Sequence, residues 1–253
     1  MDLFLRWLEA LEDRHMRALS FQEVRRSVQA LSSLYVERRN RLGEGAALDG
    51  AGKRAAFALF FAPLHFLLVR EIVKALGADL LQLPALLDLG CGTGVAGAAW
   101  ASALTPAPRV SGVDRNPWAA SEARWTYSAF GLDSSAKALD INTFKAPGRT
   151  AIVAAFILNE LPEEARNRWK DSMLRSAGEG SPVLVVEPIA KKLSPWWDDW
   201  AEAFVTAGGR SDEWRFRVAL PERLALMDKA AGLNHRELTG RSLWIPKSRN
   251  PPT

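Results

Sequence analysis

A single cysteine, Cys91, stands among the 253 residues. An internal disulfide framework and any cysteine-based zinc or iron–sulfur cage are excluded, and the chain needs no oxidising compartment. Histidine is nearly as scarce. His15, His65 and His235 fall at no metal-binding spacing and form no visible triad, and there is no G-x-S-x-G elbow, so hydrolase and metalloenzyme readings lose their support. The most apolar stretch, Ala55 to Val69, contains Pro63 and His65 and is shorter than the roughly 20 residues a spanning helix needs. It predicts a buried helix. The N-terminus alternates apolar residues with Asp2, Arg6 and Glu9 and shows no signal-peptide core, so a cytoplasmic protein without a membrane partner is expected. No internal repeat is present.

An excess of charge is also modest. Thirty-three Lys plus Arg against 29 Asp plus Glu give a formal charge of +4. The basic residues gather toward the C-terminus as Arg210, Arg215, Arg217, Arg223, Arg236, Arg241, Lys247 and Arg249. That distribution permits contact with nucleic acid, although a solvated arginine-rich face would carry the same residues. Length and ordinary apolar content suit one large domain, or one domain with a sizeable appendage.

Residues 1–81 carry helical signals throughout and read as a helical N-terminal region, a cap or substrate wall. Leu3, Phe4, Trp7, Leu8 and Leu11 share one face, and Ser20 with Glu23 forms a capping-box signature ahead of Val24, Val28 and Leu31. Leu42 to Gly52 is a Gly- and Ala-rich break. An apolar helix through Phe57, Phe60, Leu64, Leu68 and Val73 follows, with a kink expected at Pro63. Residues 82–253 alternate β-rich runs with helices, which predicts an α/β domain with a mostly parallel sheet. Strands are expected at Ala85 to Leu89, Arg109 to Val113, Ala136 to Leu139, Ala151 to Leu158, Pro182 to Val186, Trp214 to Ala219 and within Arg236 to Ile245. The order of the late strands is not readable, and the proline-bearing tail from Pro246 is expected to fray.

The most informative stretch is Leu86-Leu87-Asp88-Leu89-Gly90-Cys91-Gly92-Thr93-Gly94-Val95, an apolar strand entering a glycine-rich turn and then a helix. A backbone that curls tightly beneath a cofactor needs positions without Cβ, for positive φ and for close approach. The dinucleotide fingerprint G-x-G-x-x-G would place its third glycine where Val95 stands, so that template fails. Asp114 ends the run Val110-Ser111-Gly112-Val113 about 20 residues beyond the turn, where a parallel fold places a carboxylate to accept from ribose hydroxyls. Arg115 follows it, and Asn116-Pro117 is an N-cap with proline at the first helical position.

The alternating glycines, with an acid two residues before the first, resemble the signature of class I S-adenosylmethionine-dependent methyltransferases. That resemblance implies a Rossmann-like fold, a mostly parallel seven-stranded sheet with helices on both faces, S-adenosylmethionine as cofactor and S-adenosylhomocysteine as product. The family lays the amino acid part of the cofactor over this loop, which assigns Asp88, Gly90, Cys91, Gly92 and Gly94 to cofactor binding beside Asp114 and Arg115. In the family an acid and an apolar residue at the end of the next strand meet the adenine. Asp140 and Ile141 occupy that place, and Phe156 at the end of the fourth strand joins the cofactor side.

The site of a parallel sheet lies at the carboxyl ends of its strands, so Asn159 and Glu160 after the run Ala151 to Leu158 should face the transferable methyl group. Asn159 would orient a substrate donor and Glu160 would act as acceptor or base. The same residues also suit a cap for the helix starting near Pro162. Amine and amide methyltransferases often carry Asn or Asp, Pro-Pro and an aromatic residue here, and this chain reads Asn-Glu-Leu-Pro. Ser194-Pro195-Trp196-Trp197-Asp198-Asp199-Trp200 opens another helix whose rings could stack a planar substrate or pack the core.

Leu31-Ser32-Ser33-Leu34-Tyr35-Val36-Glu37-Arg38-Arg39, Arg54-Ala55-Ala56-Phe57, Phe156-Ile157-Leu158-Asn159-Glu160-Leu161-Pro162 and Val183-Leu184-Val185-Val186-Glu187-Pro188 together resemble the methyltransferase-like family of the mitochondrial small ribosomal subunit and its bacterial relatives. That resemblance implies RNA or the ribosomal subunit as partner. Family members carry a cysteine cluster for an iron–sulfur centre, which this sequence lacks. Three readings stay open: a methyltransferase acting on rRNA or another RNA, one acting on a small planar metabolite, and a non-catalytic assembly factor that binds the cofactor. The oligomeric state is not readable from these residues.

Overall fold

A computed structural model describes residues 2–37, 48, 50–190 and 194–246. Arg38, Arg39, most of the Leu42 to Gly52 break and the tail beyond Pro246 lie outside the described residues. The chain divides into two units: Met1–Leu67 with Arg217–Leu238, and Leu68–Phe216 with Thr239–Thr253.

The first unit is helical. In α1, Leu3–His15, the apolar spacing buries Phe4, Trp7, Leu8 and Leu11, and Phe4 stacks on Phe66 with centroids 4.9 Å apart. The capping box before α2, Phe21–Glu37, forms as the sequence predicts: Glu23 Oε2 accepts from the Ser20 N–H at 2.8 Å. The segments α3, Ala51–Ala56, and α4, Ala62–Ala75, run on through a π-helical turn, Phe57–Phe61. In that turn the Ala62 N–H donates to the Phe57 carbonyl five residues back. The wider turn accommodates Pro63, which lacks an N–H and would crowd the carbonyl of Leu59 in a regular helix, so the helix passes through instead of breaking. The sequence reading underestimated its length. Ala51–Ala75 is long and apolar enough to cross a membrane, yet 72% of its most apolar stretch is buried inside the protein, as in a core helix. From the other end of this unit, α9, Glu222–Ala230, contributes buried Leu224 and Met227, and Arg223 Nη1 meets Glu12 Oε2 at 2.6 Å.

The second unit is built on a seven-stranded sheet in the order β3-β2-β1-β4-β5-β7-β6. The strands are β1, Ala85–Leu89; β2, Arg109–Asp114; β3, Ser134–Ala138; β4, Ala151–Ala155; β5, Val183–Glu187; β6, Arg210–Phe216; and β7, Leu238–Ile245. The first five pair in parallel, and β7 lies antiparallel to β5. Because β1 is flanked by β2 on one side and β4 on the other, the strand order reverses there, the place where open α/β sheets take their ligands beyond the carboxyl ends.

Strand parity sets the two faces. Leu87, Leu89, Ile152, Val183, Val185, Leu243 and Ile245 enter one core with residues of α7, Glu163–Gly178, and α8, Trp197–Thr206. The opposite face of β1 meets α5, Val95–Ala101, where the Gly97 N–H donates to Asp88. Burial on both faces explains why β1, β4 and β5 read as continuous apolar runs. Two strands depart from expectation by more than two residues. β4 stops at Ala155 because Phe156 takes φ +61, and β6 starts at Arg210, four residues early. An edge strand such as β6 tolerates the polar Arg210-Ser211-Asp212 opening that hid it in the sequence.

Candidate functional site

The loop between β1 and α5 has Gly90, Gly92 and Gly94 at φ +63, +51 and +83, a backbone that residues with a Cβ rarely adopt. Each glycine meets a different neighbour. A Cβ on Gly90 would overlap Ile157, and one on Gly94 would lie 2.9 Å from both Ala123 Cα and Tyr127 Cε1, so close packing of α5 against α6, Pro117–Ala129, requires that glycine. No atom lies within 4 Å of the point a Gly92 Cβ would occupy. Space is therefore left open at the middle of the loop.

Asp114, at the tip of β2, closes the loop from the side. Its Oδ2 accepts the Gly92 N–H at 2.9 Å and its Oδ1 the Asn116 N–H at 2.8 Å. Burial raises its pKa, and the two amides pull it back down. Asn116 caps α6 through its side-chain oxygen, which takes the Trp118 N–H at 3.0 Å, with Pro117 in the first turn as expected. Arg115 is exposed next to this cap.

Asp88 is 1% exposed and points under the loop. Its Oδ2 accepts from Gly97 N and from the Tyr127 hydroxyl, each at 2.8 Å. The carboxyl is thus spent on holding the loop to α5 and α6. Burial pushes its pKa up to about 7 despite these two donors. Cys91 is also buried, its amide donating to the Val113 carbonyl at 2.9 Å, and burial pushes its thiol well above the usual range. Its sulfur fills the space beside Gly112.

After β3, Asp140 is exposed, and its Oδ1 takes the Asn142 N–H at 2.9 Å in an Asx turn. Ile141 is 4% exposed and packs in the core, while its carbonyl accepts the Trp169 indole N–H at 3.0 Å. The expectation that Ile141 covers a bound ring meets a side chain already enclosed by protein.

Beyond β4, Phe156 sits half-buried at φ +61, a conformation that costs roughly 1–3 kcal/mol for a bulky residue and tends to persist where a site needs it. Its N–H still reaches the Val186 carbonyl at 2.8 Å. The turn Leu158–Glu160 then brings Asn159 and Glu160 to the carboxyl edge, with Glu160 exposed. The Asn159 side chain is engaged at both ends. Its Nδ2 donates to Glu187 Oε2 at 2.7 Å, and its Oδ1 accepts from Trp196 Nε1 at 3.0 Å. Glu187 also takes the Leu158 N–H at 3.0 Å and is 1% exposed, and its burial pushes its pKa up to about 8.

Tyr127, Ile157 and Glu187 escaped sequence reasoning as parts of the site, and Trp196, singled out with its neighbours for stacking or core packing, was not linked to Asn159. The strand-ending Glu187-Pro188 was visible, but its partners lie 28 and 29 residues away. Among the described residues no group of three or more His, Cys, Asp or Glu side chains could hold a metal ion.

No protein-family model and no curated protein matches the chain. Among solved structures, an O-methyltransferase family protein from Burkholderia thailandensis aligns over 95% of this chain and 77% of its own, with a TM-score of 0.58 and 15% identity. The N-methyltransferase NodS from Bradyrhizobium japonicum WM9, in complex with S-adenosylhomocysteine, covers 72% of this chain and 86% of its own at a TM-score of 0.48 and 16% identity. Magnesium protoporphyrin IX methyltransferase from Synechocystis PCC 6803, with bound cofactor, covers 73% and 80% at a TM-score of 0.47 and 16% identity. The likeness to the Burkholderia protein establishes a shared fold. The chain has the Rossmann-like methyltransferase architecture, with a helical N-terminal region.

Proposed function

We propose that this protein is an S-adenosylmethionine-dependent methyltransferase. The observation that carries the reading is Gly92: it has positive φ, open space where its Cβ would stand, and an N–H fixed to the Asp114 carboxylate at the neighbouring strand tip. The residues present fit the cofactor. In the loop of Gly90, Gly92 and Gly94, the first and last glycines pack against protein and Gly92 is the one a ligand can approach at backbone distance, with Cys91 and Asp88 bracing the loop from below. Each Asp114 oxygen has one amide partner and retains a lone pair for a ribose hydroxyl. Asp140, exposed beyond the tip of β3, keeps Oδ2 for the exocyclic amine of adenine, and Arg115 and Phe156 directly follow the carboxyl ends of β2 and β4.

Bound there, the sulfonium supplies an activated methyl carbon open to in-line displacement. The protein's part is alignment and, for a protonated nucleophile, removal of a proton, a role we assign to Glu160, exposed in the turn that follows β4. Asn159 acts on the acceptor side through the groups it holds.

The acceptor class we favour is RNA, including rRNA, supported by exposed Arg210 and Arg215 on the edge strand β6. Half-buried Trp196 beside Asn159 supports a second reading, a small planar acceptor. A cytoplasmic location is proposed on the single buried thiol.

Calorimetry with S-adenosylmethionine and S-adenosylhomocysteine tests the cofactor, and Asp114→Ala should weaken binding by about 1–3 kcal/mol. Absence of binding by the wild type overturns the reading. Labelled methyl transfer to ribosomal RNA, and separately to a panel of aromatic alcohols and amines, separates the two acceptor classes. Binding with transfer to neither would leave the non-catalytic assembly factor.

A further inference from the structure

Four groups at the carboxyl edge of β4 and β5 form a directional hydrogen-bond chain. The Leu158 N–H donates to Glu187 Oε1, the Asn159 amide nitrogen donates to Glu187 Oε2, and the Trp196 indole N–H donates to Asn159 Oδ1, at 3.0, 2.7 and 3.0 Å. Every polarity in this chain is forced. An indole N–H can only donate, so Asn159 must turn its oxygen to Trp196 and its NH2 to residue 187. Residue 187 then has to accept at both atoms, because the second atom meets a backbone N–H. A carboxyl group satisfies that demand, whereas a carboxamide cannot.

We propose, resting on the methyltransferase reading, that Glu187 is the positioning residue of the acceptor side. It fixes the turn Leu158–Glu160 and, through Asn159, the orientation of Trp196, so that Asn159 serves as a strut and not as a ligand of the acceptor. The surroundings are consistent with a purpose-built support. Arg241 is the β7 partner of Glu187 across the sheet and lies 4.1 Å from the Trp197 ring centroid, while Arg166 lies 5.5 Å from the Trp196 centroid. Arg166, Arg241 and Glu160 are the charged groups that face Glu187. The same turn carries Ile157 against Gly90, so fixing Leu158 also fixes the acceptor edge relative to the cofactor loop. A half-buried indole held by its N–H offers a planar acceptor one fixed wall, which would make Trp196 a specificity determinant.

The test exploits polarity. In Glu187→Gln one acceptor atom becomes a donor, so either the Leu158 bond is lost or Asn159 must flip and present its NH2 to Trp196. In Asn159→Asp two carboxyl groups face each other and can share a proton, since burial raises the Glu187 pKa to about 8, so that variant keeps an acceptor for the Trp196 indole. The combination Glu187→Gln with Asn159→Asp restores every bond: the Gln carbonyl takes Leu158, the Gln NH2 donates to one Asp oxygen, and the other accepts from Trp196.

The readout is the Leu158 amide and Trp196 indole N–H resonances in leucine- and tryptophan-labelled full-length protein, the indole assigned with Trp196→Phe, together with S-adenosylhomocysteine affinity. We expect Glu187→Gln to lose the hydrogen-bond shift at one of the two reporters, the Leu158 amide or the Trp196 indole, and the double variant to recover both. A folded Glu187→Gln protein with both resonances unchanged overturns the proposal, as does a folded double variant without recovery. Should Glu187→Gln fail to fold, the double variant decides alone: shifted Leu158 and Trp196 resonances support the proposal, and an unshifted one overturns it. A wild type that shows the shifted resonance but ignores the nucleoside refutes the methyltransferase reading and leaves the hydrogen-bond chain standing.

Discussion

Ile157 occupies the space that a Cβ on Gly90 would need. The first glycine of the loop is therefore held by two constraints, its φ of +63 and the side chain that presses on it from the end of β4. Gly90→Ala should destabilise the protein by about 2–4 kcal/mol, combining left-handed strain with overpacking. Adding Ile157→Ala to that variant should return the steric share and leave the strain. Urea denaturation measures both. A Gly90→Ala protein within about 0.5 kcal/mol of wild type, the range of ordinary surface changes, would show that the two elements are not in contact.

Gly92 should behave in the opposite way. It shares the positive φ, but its Cβ direction is open, so Gly92→Ala meets strain without a clash and should lose only about 1 kcal/mol of stability. Its principal effect should fall on S-adenosylhomocysteine, whose approach to the backbone the new methyl obstructs. The informative result is the pair of measurements: large stability loss at Gly90, large affinity loss at Gly92. Equal affinities for wild type and Gly92→Ala would remove the loop from the binding surface.

These contrasts mark how far the sequence could be read. The strand-turn-helix around Gly90 and the Asn116-Pro117 cap were legible because backbone conformation and local hydrogen bonds select residue types within a few positions. Asp114 was legible for the same reason, its partners being a turn and a cap that the sequence already displays. Asn159 was legible as a position but not as a role, since its partners stand 28 and 37 residues away. Asp88 and Ile141 were assigned to cofactor contact on the family resemblance, and their packing was not legible. Strand parity directs Asp88 toward α5, and the Trp169 contact belongs to an environment in which Ile141 is buried, both consequences of packing between distant elements. The edge strand β6 was misplaced because half its residues face solvent and carry no apolar signal.

Stability should fall as pH rises from about 4 to about 7, through Asp88. Burial raises its carboxyl in the folded state, from 3.8 to about 7, so the folded protein holds a proton in this window that the unfolded chain has released. The stabilisation is complete below the unfolded value and is lost as pH passes the folded one, with a slope of at most about 1.4 kcal/mol per pH unit from this group. Glu187 adds a contribution of the same sign, reaching to about pH 8. Asp88→Asn retains an oxygen for Gly97 and Tyr127 and cannot titrate, so its denaturation midpoint should vary less across this range. An unaltered pH profile in Asp88→Asn would place the titration elsewhere.

Trp169 reaches from α7 to the backbone beside Asp140, where its indole N–H satisfies the buried Ile141 carbonyl. Trp169→Phe keeps most of the packing and removes the donor, leaving that carbonyl without its partner, at a cost of roughly 1–3 kcal/mol. The loss should not stop at stability. Asp140 directly precedes Ile141 and forms its Asx turn with Asn142, so release of the Ile141 carbonyl loosens the segment assigned to adenine. S-adenosylhomocysteine affinity should fall with it. Met173→Leu, a near-isosteric change in the same helix, is the control: it is expected to leave affinity unchanged. Equal affinity losses in the two variants would mean that general loosening of α7, and not the Trp169 hydrogen bond, governs the loop.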